Sequence, residues 1–514
     1  MAKSLKIVTC PTSPFEGQKP GTSGLRKKVK IFKQDNYTEN FVQCILTAMG
    51  DKLKGSYLAV GGDGRYYVKE AVQKIIKICA ANKVKKLVVA QNGIMSTPAV
   101  SCVIRKKGCD GGIILTASHN PGGENEDFGI KFNISNGGPA PDGCTNSIYK
   151  LSTEIKEYYI CPELECDISK IGVNDYLIEN EPFRVEIVDS VDDYLQLMKE
   201  IFDFSAIKSH INSGFKLLIN LTGPYAKRIF IDELGGEPCS VVNGVPLEDF
   251  GGHHPDPNLT YAADLVKAMK QGDSDLGAAF DGDGVRWNMI LGKKAFFVCP
   301  SDSLAVLANN LECIPYFKKS GVKGYARSMP TAGAVDRVAE VTGKKIYETP
   351  TGWKYFGNLM DAGMLSLCER KDGIWAVLAW LSVIANQKMS VEELLVKHWE
   401  KFGRNFFTRY DYENCDAEPC NKMIAELEGA MKSGSLVKKS FTNENKSYVV
   451  SQVDNFEYTD PVDKSVASKQ GLQFCCLKMV SIVLRLSGTE AVGAAFGCIL
   501  TAMRRSQKIK QPAE

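Results

Sequence analysis

Residues 112–123 read Gly-Ile-Ile-Leu-Thr-Ala-Ser-His-Asn-Pro-Gly-Gly. The apolar run Gly112-Ile113-Ile114-Leu115 has the length and branching of a fully buried strand, and the turn residues Asn120-Pro121-Gly122-Gly123 close it. Ser118 and His119 are thereby delivered together at the carboxyl end of a strand, where open α/β sheets place their chemistry. Working outward, a strand-like stretch at Tyr57–Gly61 leads through the turn Gly62-Asp63-Gly64-Arg65 into Val68, Ala71, Val72, Ile75, Ile76 and Cys79 at helical spacing. A second strand, Lys86-Leu87-Val88-Val89-Ala90, and a helix opened by Ser96-Thr97-Pro98 complete a βαβαβ unit ending on Ser118. This alternation predicts a parallel or mixed sheet with helices on both faces.

The theme recurs. Lys216-Leu217-Leu218-Ile219 leads to a helix near Tyr225–Leu234 and on to Gly277-Ala278-Ala279-Phe280, which ends in Asp281-Gly282-Asp283-Gly284-Val285-Arg286. Gly321–Tyr325, a helix around Ala334–Val341 and the strand Lys345-Ile346-Tyr347 form a third unit. Past Phe406 the texture turns polar and β-rich, as in Ser447-Tyr448-Val449-Val450 and Ile482-Val483-Leu484-Arg485. The expected fold class is α/β: three similar α/β domains with mixed sheets, plus a smaller α+β C-terminal domain, around a central cleft. The expected boundaries are 1–190, 191–300, 301–410 and 411–514.

Composition narrows the function classes. A chain of 514 residues exceeds what one core supports. Its 63 basic and 60 acidic residues give a net charge of +3 and no basic field for nucleic acid, so any phosphate recognition must be local. The N-terminal Met1-Ala2-Lys3-Ser4-Leu5-Lys6-Ile7-Val8 lacks the apolar core of a secretory signal, and no run reaches the ~18 apolar residues of a membrane helix. The expectation is a cytoplasmic protein with neither a membrane nor a nucleic-acid partner. The 17 cysteines lie scattered from Cys10 to Cys498 without a Cys-x-x-Cys pair, as expected of reduced, mostly buried thiols.

A serine hydroxyl serves phosphoryl transfer when a base or acid sits beside it and cations take up the phosphate charge. Ser118 has His119 adjacent and Lys131 shortly after, in Phe128-Gly129-Ile130-Lys131-Phe132; a simple turn is the plainer alternative. In Asp281-Gly282-Asp283 the carboxylates alternate about a glycine, so both can face one hard cation such as Mg²⁺. An EF-hand is excluded because its twelfth position falls on Gly292, and an Asp-Gly turn is the alternative. Three further glycine turns suit an anion: Gly21-Thr22-Ser23-Gly24-Leu25-Arg26, Thr349-Pro350-Thr351-Gly352-Trp353-Lys354 and Arg485-Leu486-Ser487-Gly488-Thr489. Singly each reads as a solvated turn; together with the serine and aspartate loops, and so spread over all the expected domains, they suggest a central cleft fed by each.

These motifs, with the long run Pro246-Leu247-Glu248-Asp249-Phe250-Gly251-Gly252-His253-His254-Pro255-Asp256-Pro257-Asn258-Leu259-Thr260, closely resemble animal-type phosphoglucomutases of the α-D-phosphohexomutase superfamily. The resemblance implies interconversion of glucose 1-phosphate and glucose 6-phosphate by a monomer, through a phosphoserine and glucose 1,6-bisphosphate. It implies Ser118 as the phosphoserine, and Asp281 and Asp283 joining its phosphate around Mg²⁺. His119, Lys131 and Lys371 would assist proton transfer. Thr22, Arg26, Arg286, Thr351 and Gly352 would bind the sugar phosphate, and Arg485, Ser487, Gly488 and Thr489 its distal phosphate. The four domains would carry, in order, the phosphoserine, metal-binding, sugar-binding and phosphate-binding loops.

The sequence also departs from the family pattern. Val285 stands where the family has a third aspartate, and Trp287 is inserted before Asn288. The sugar-reading loop that the family carries between Cys368 and Glu369 is missing, the connection at Asn220-Leu221-Thr222-Gly223 is short, and the phosphate loop ends in Glu490-Ala491-Val492. Loss of two sugar hydrogen bonds, at roughly 1.5–3 kcal/mol each, would lower binding or rate by about 10²–10⁴. A non-catalytic relative of the adhesion-associated branch is the second reading, and an incomplete transcript the third.

Overall fold

The structure, a computed structural model, describes residues 4–21, 23–221, 223–285, 289–369, 372–443, 446–477, 480–487 and 494–504. The chain divides into two compact units, residues 1–295 with 371–382, and residues 296–370 with 383–514.

In the first unit the βαβαβ motif forms the centre of an eight-stranded sheet. Tyr57–Gly62 lies between Lys86–Ile94 and Gly111–Leu115, parallel to both. Asp127–Ile134 runs antiparallel beside Gly111–Leu115, and Leu25–Lys28 antiparallel beside it in turn, so the sheet is mixed. Every residue of Gly111–Leu115 is buried, as a strand covered on both faces requires. The helix Val68–Ala81 turns the six residues read from its spacing into this core. The helix Thr97–Lys106 opens on a Ser96 side chain that accepts the Ala99 N–H at 3.3 Å, has Pro98 in its first turn, and closes on Arg105 and Lys106. A side chain at Gly62 would place its β-carbon 2.2 Å from the Leu115 carbonyl, so only glycine lets the two parallel strands approach at their active ends.

A second sheet in this unit sets Leu217–Asn220 parallel to Leu276–Ala279, whose end carries the Asp281 loop. The helix expected near Tyr225–Leu234 is instead a short α-turn, Pro224–Ala226, continued by a π-helix over Lys227–Glu233. The wider turns, closed by bonds such as Leu234 N–H to Ile229 C=O at 3.1 Å, direct both Ile229 and Phe230 into the core.

The second unit holds an all-parallel sheet of Lys345–Thr349, Gly324–Ser328 and Leu367–Cys368. It also holds a six-stranded sheet, ordered Arg404–Cys415, Ala494–Arg504, Val480–Ser487, Leu472–Cys476, Lys446–Asn455 and Ser440–Asn443, with the helix Ala417–Lys432 against it. All its pairings are antiparallel, within the α+β texture read from the sequence. None of the 17 cysteines is joined in a disulfide, and burial pushes the Cys44 thiol up to about 12. Among the described residues no single helix is long and apolar enough to cross a membrane.

Two buried titratable groups oppose each other in the second unit. Burial raises the Asp302 carboxyl to about 6, against the pull of Arg404 and of the Trp399 indole N–H, which it accepts at 3.0 Å. Burial lowers the His398 imidazole to about 4, with Lys401 adding to the effect. Between these values the folded state keeps a proton on Asp302 that the unfolded chain releases, so this carboxyl makes stability fall as pH rises; it refuses on His398 a proton that the unfolded chain takes, so the imidazole makes stability rise. Each slope reaches ~1.4 kcal/mol per pH unit. The Asp302→Asn variant therefore gains stability relative to the wild type as pH rises from about 4 to about 6. Urea unfolding midpoints at matched pH measure this, and a constant difference across the range would refute it.

Candidate active site

Ser118 sits three residues beyond the end of Gly111–Leu115 with φ +57°, a left-handed conformation that costs a non-glycine residue about 1–2 kcal/mol. Its surroundings hold it there. The Ser118 N–H donates to Thr116 Oγ1 at 2.7 Å, and the Thr116 hydroxyl donates to Asp63 Oδ2. On the other side Arg65 Nη2 donates to the Ser118 carbonyl at 2.9 Å, Nη1 to the Asp127 carbonyl at 2.8 Å, and Nε to both oxygens of Asp63. The Asp63 and Arg65 side chains are wholly buried. Replacing Arg65 by Met leaves Asp63 charged and uncompensated in the interior, so the Arg65→Met variant should lose about 3–5 kcal/mol of unfolding free energy. Urea denaturation is the check, and a loss under about 1 kcal/mol would refute this account of the pair.

With the backbone fixed, the Ser118 hydroxyl donates to Asp281 Oδ2 at 2.8 Å. The Asp281 turn closes through Gly284 N–H to Asp281 C=O at 3.0 Å, and is tied to the start of the helix Thr97–Lys106 through Thr97 N–H to Asp283 C=O at 3.1 Å. Asp283 Oδ2 accepts from Thr97 Oγ1 at 2.7 Å and from Lys131 Nζ at 3.3 Å. Lys131 arrives on the strand Asp127–Ile134 opposite Ile114, and Arg26 on Leu25–Lys28 opposite Gly129. Burial works to raise the Asp283 carboxyl, but Lys131, the Thr97 hydroxyl and Arg26 together outweigh it and hold it well below the usual carboxylate range. His119 follows Ser118 and is half-buried.

The donor set is all oxygen: one hydroxyl and two carboxylates, each carboxylate only 1% exposed. Asp283 Oδ1 is buried without a hydrogen-bond partner. A hard divalent cation suits such a set. Among the described residues no three His, Cys, Asp or Glu side chains gather in this way, and Val285 is buried and apolar, so further oxygens would have to come from phosphate or water.

In the second unit Arg485 Nη1 donates to Thr351 Oγ1 at 2.8 Å. Gly352, at φ +147°, precedes the helix Trp353–Asp361. Burial, with Arg409 nearby, lowers the Arg485 guanidinium from its ordinary value, a setting that favours an anion. Glu369, directly after Cys368, accepts from Ser328 N–H, Ser328 Oγ and Thr331 Oγ1. Thr22, Arg286, Lys371, Gly488 and Thr489 lie outside the described residues, as does the Ser487 side chain. Beside Lys371, Asp372 accepts from the Tyr194 hydroxyl at 2.7 Å, and Gly373 N–H donates to the Gly284 carbonyl at 3.0 Å, which ties that segment to the Asp281 turn.

Residues 17–159 match the family of phosphoglucomutase/phosphomannomutase alpha/beta/alpha domain I, residues 300–402 that of domain III, and residues 404–512 that of the phosphoglucomutase-1 C-terminal domain. Phosphoglucomutase 1 of Drosophila melanogaster is 56% identical over 529 aligned residues, covering 99% of this chain and 94% of the fly protein. The chain belongs to the phosphoglucomutase family. That membership classes it with the isomerases that move a phosphoryl group within a molecule. The human phosphoglucomutase-like protein 5 is 48% identical over 95% of this chain and 90% of its own length. The crystal structure of the Paramecium exocytosis-sensitive phosphoprotein pp63/parafusin, a phosphoglucomutase in its open form, superposes with a TM-score of 0.88 at 44% identity, over 99% of this chain and 94% of that one.

Sequence reasoning about this phosphoglucomutase-family chain found Ser118, Lys131, Arg26, Asp281 and Asp283, which the fold brings together in one unit. It passed over Asp63, Arg65 and Thr97, read only as a turn and a helix start. The available signal was an acidic and a basic residue inside a glycine turn at a buried strand end, where an unpaired charge could not be tolerated.

Proposed function

We propose that this chain interconverts glucose 1-phosphate and glucose 6-phosphate through a phosphoryl group carried on Ser118, with glucose 1,6-bisphosphate as intermediate. The observation that carries this reading is the 2.8 Å contact of the Ser118 hydroxyl with Asp281, inside a buried cluster that also holds Asp283 and Lys131. Asp281, Asp283 and the serine phosphate would hold Mg²⁺, which when bound spreads the charge of the transferring group. Lys131 and Arg26 add positive charge beside that group. In the first half-reaction the bond from phosphorus to Ser118 Oγ breaks as one forms to a sugar hydroxyl, whose proton passes to His119 or Lys371 acting as base, with Lys131 assisting as a cation; in the second the bond from phosphorus to the other sugar oxygen breaks as one re-forms to Ser118 Oγ. The bisphosphate then returns its other phosphoryl group to Ser118, and the same residues restore the proton. Thr22, Arg26, Arg286, Thr351 and Gly352 bind the sugar phosphate, and Arg485, Ser487, Gly488 and Thr489 the distal phosphate.

The sheets grouped at residues 4–188, 217–298, 324–368 and 404–504 support a four-domain division with boundaries near 190, 300 and 410, the last of them falling within the strand Arg404–Cys415. A monomer in the cytoplasm, acting on a small sugar phosphate, completes the proposal. The test is conversion of glucose 1-phosphate by the purified chain with Mg²⁺ and trace glucose 1,6-bisphosphate. No product from a folded chain would favour the non-catalytic reading over the mutase.

A further inference from the structure

The long run Pro246–Thr260 that carries much of the family resemblance supplies none of the residues above, yet one of its side chains sits between both reactive loops. Phe250 is 5% exposed and has φ +55°, the left-handed region that a bulky aromatic residue rarely adopts. Its ring abuts two glycines from opposite loops. A β-carbon at Gly122, in the turn that follows Ser118, would lie 2.8 Å from Phe250 Cδ2 and Cε2. One at Gly282, between the two aspartates, would lie 2.9 Å from Phe250 Cζ and 3.0 Å from the Ser118 carbonyl. The Arg65 guanidinium, which holds that same carbonyl, packs against the ring at 5.2 Å from its centroid. The segment is anchored by Tyr66 N–H to the Glu248 carbonyl at 2.8 Å and by Gly251 N–H to Asp249 Oδ1 at 2.9 Å.

We propose that Phe250 is a positioning residue, a flat spacer that sets the serine loop against the aspartate loop and so fixes the Ser118 to Asp281 geometry. The two glycines accept a planar ring at van der Waals distance where a branched side chain would not fit both. The strained backbone at Phe250 is what aims the ring into this gap, and strain kept at such a place points to function. The inference rests on the proposed reaction through Ser118 but is read separately from it.

The test compares Phe250→Leu with the wild type, and with Ser118→Ala in the same assay to establish that the reaction itself runs. Leucine keeps the segment buried and removes the flat ring. Expected are a fall in kcat of about tenfold or more with KM for glucose 1-phosphate within about twofold. Amide hydrogen exchange, which needs neither substrate nor metal, should accelerate in peptides covering both 116–123 and 281–285. The conservative Phe250→Tyr variant places a hydroxyl against Gly282 and should not rescue, whereas Phe250→Met, slender and unbranched, should recover part of kcat. Unchanged kcat in Phe250→Leu, or faster exchange confined to 247–261, would overturn the proposal. Absence of Ser118-dependent activity in the wild type would overturn the proposed reaction instead, and leave the exchange result to decide the role of Phe250.

Discussion

Ser118→Ala should abolish conversion of glucose 1-phosphate to glucose 6-phosphate, by on the order of 10⁴-fold or more. The expectation follows from the geometry. The Ser118 hydroxyl is the nucleophile-type group that the sheet presents against two buried carboxylates, and the strained backbone that aims it is held by Thr116 on one side and Arg65 on the other. Alanine keeps the N–H and C=O bonds that fix the loop and removes only the oxygen, so folding should be preserved; the melting temperature is the control. Intact-mass measurement after exposure to glucose 1,6-bisphosphate should show one added phosphoryl group on the wild type and none on the variant. Equal rates in the two proteins would remove Ser118 from the reaction.

Asp283→Asn should lower kcat by about 10²–10³ and weaken Mg²⁺ activation by about tenfold or more. Asn keeps an oxygen to accept the Thr97 hydroxyl, so the contact that ties the aspartate turn to the helix Thr97–Lys106 survives. What is lost is the negative charge that Lys131 and Arg26 stabilise, and the carboxylate oxygen that is buried without a hydrogen-bond partner. Leaving Lys131 beside a neutral amide also removes half of a buried ion pair. Rates titrated with Mg²⁺ give both quantities. A variant with wild-type kcat and an unchanged Mg²⁺ dependence would show that Asp283 serves only to neutralise Lys131.

Val285 is buried and apolar, so it adds no carboxylate to the pair Asp281 and Asp283. The residues that would deliver the phosphoryl group are assembled in the first unit all the same. At 56% identity with fly phosphoglucomutase 1, against 48% with the human like protein 5, the chain stands nearer the enzyme.

The sequence by itself determined the βαβαβ core, the serine at its strand end, the aspartate pair on a glycine turn and the β-rich, α+β texture of the last region. These are local matters: side-chain periodicity, turn chemistry and strand composition act within a few residues and leave their mark on the chain as written. It also placed a helix at Tyr225–Leu234 that the fold widens into a π-helix over Lys227–Glu233, with both Ile229 and Phe230 buried. Only the tertiary structure decided that Ser118 meets Asp281 across 163 residues, that Asp63 and Arg65 form the buried frame beneath the serine, and that Phe250 fills the gap between the two loops. The reason is physical. The worth of a charge, a hydroxyl or a ring depends on what excludes water from it and what lies opposite, and both are set by chain segments far away in sequence.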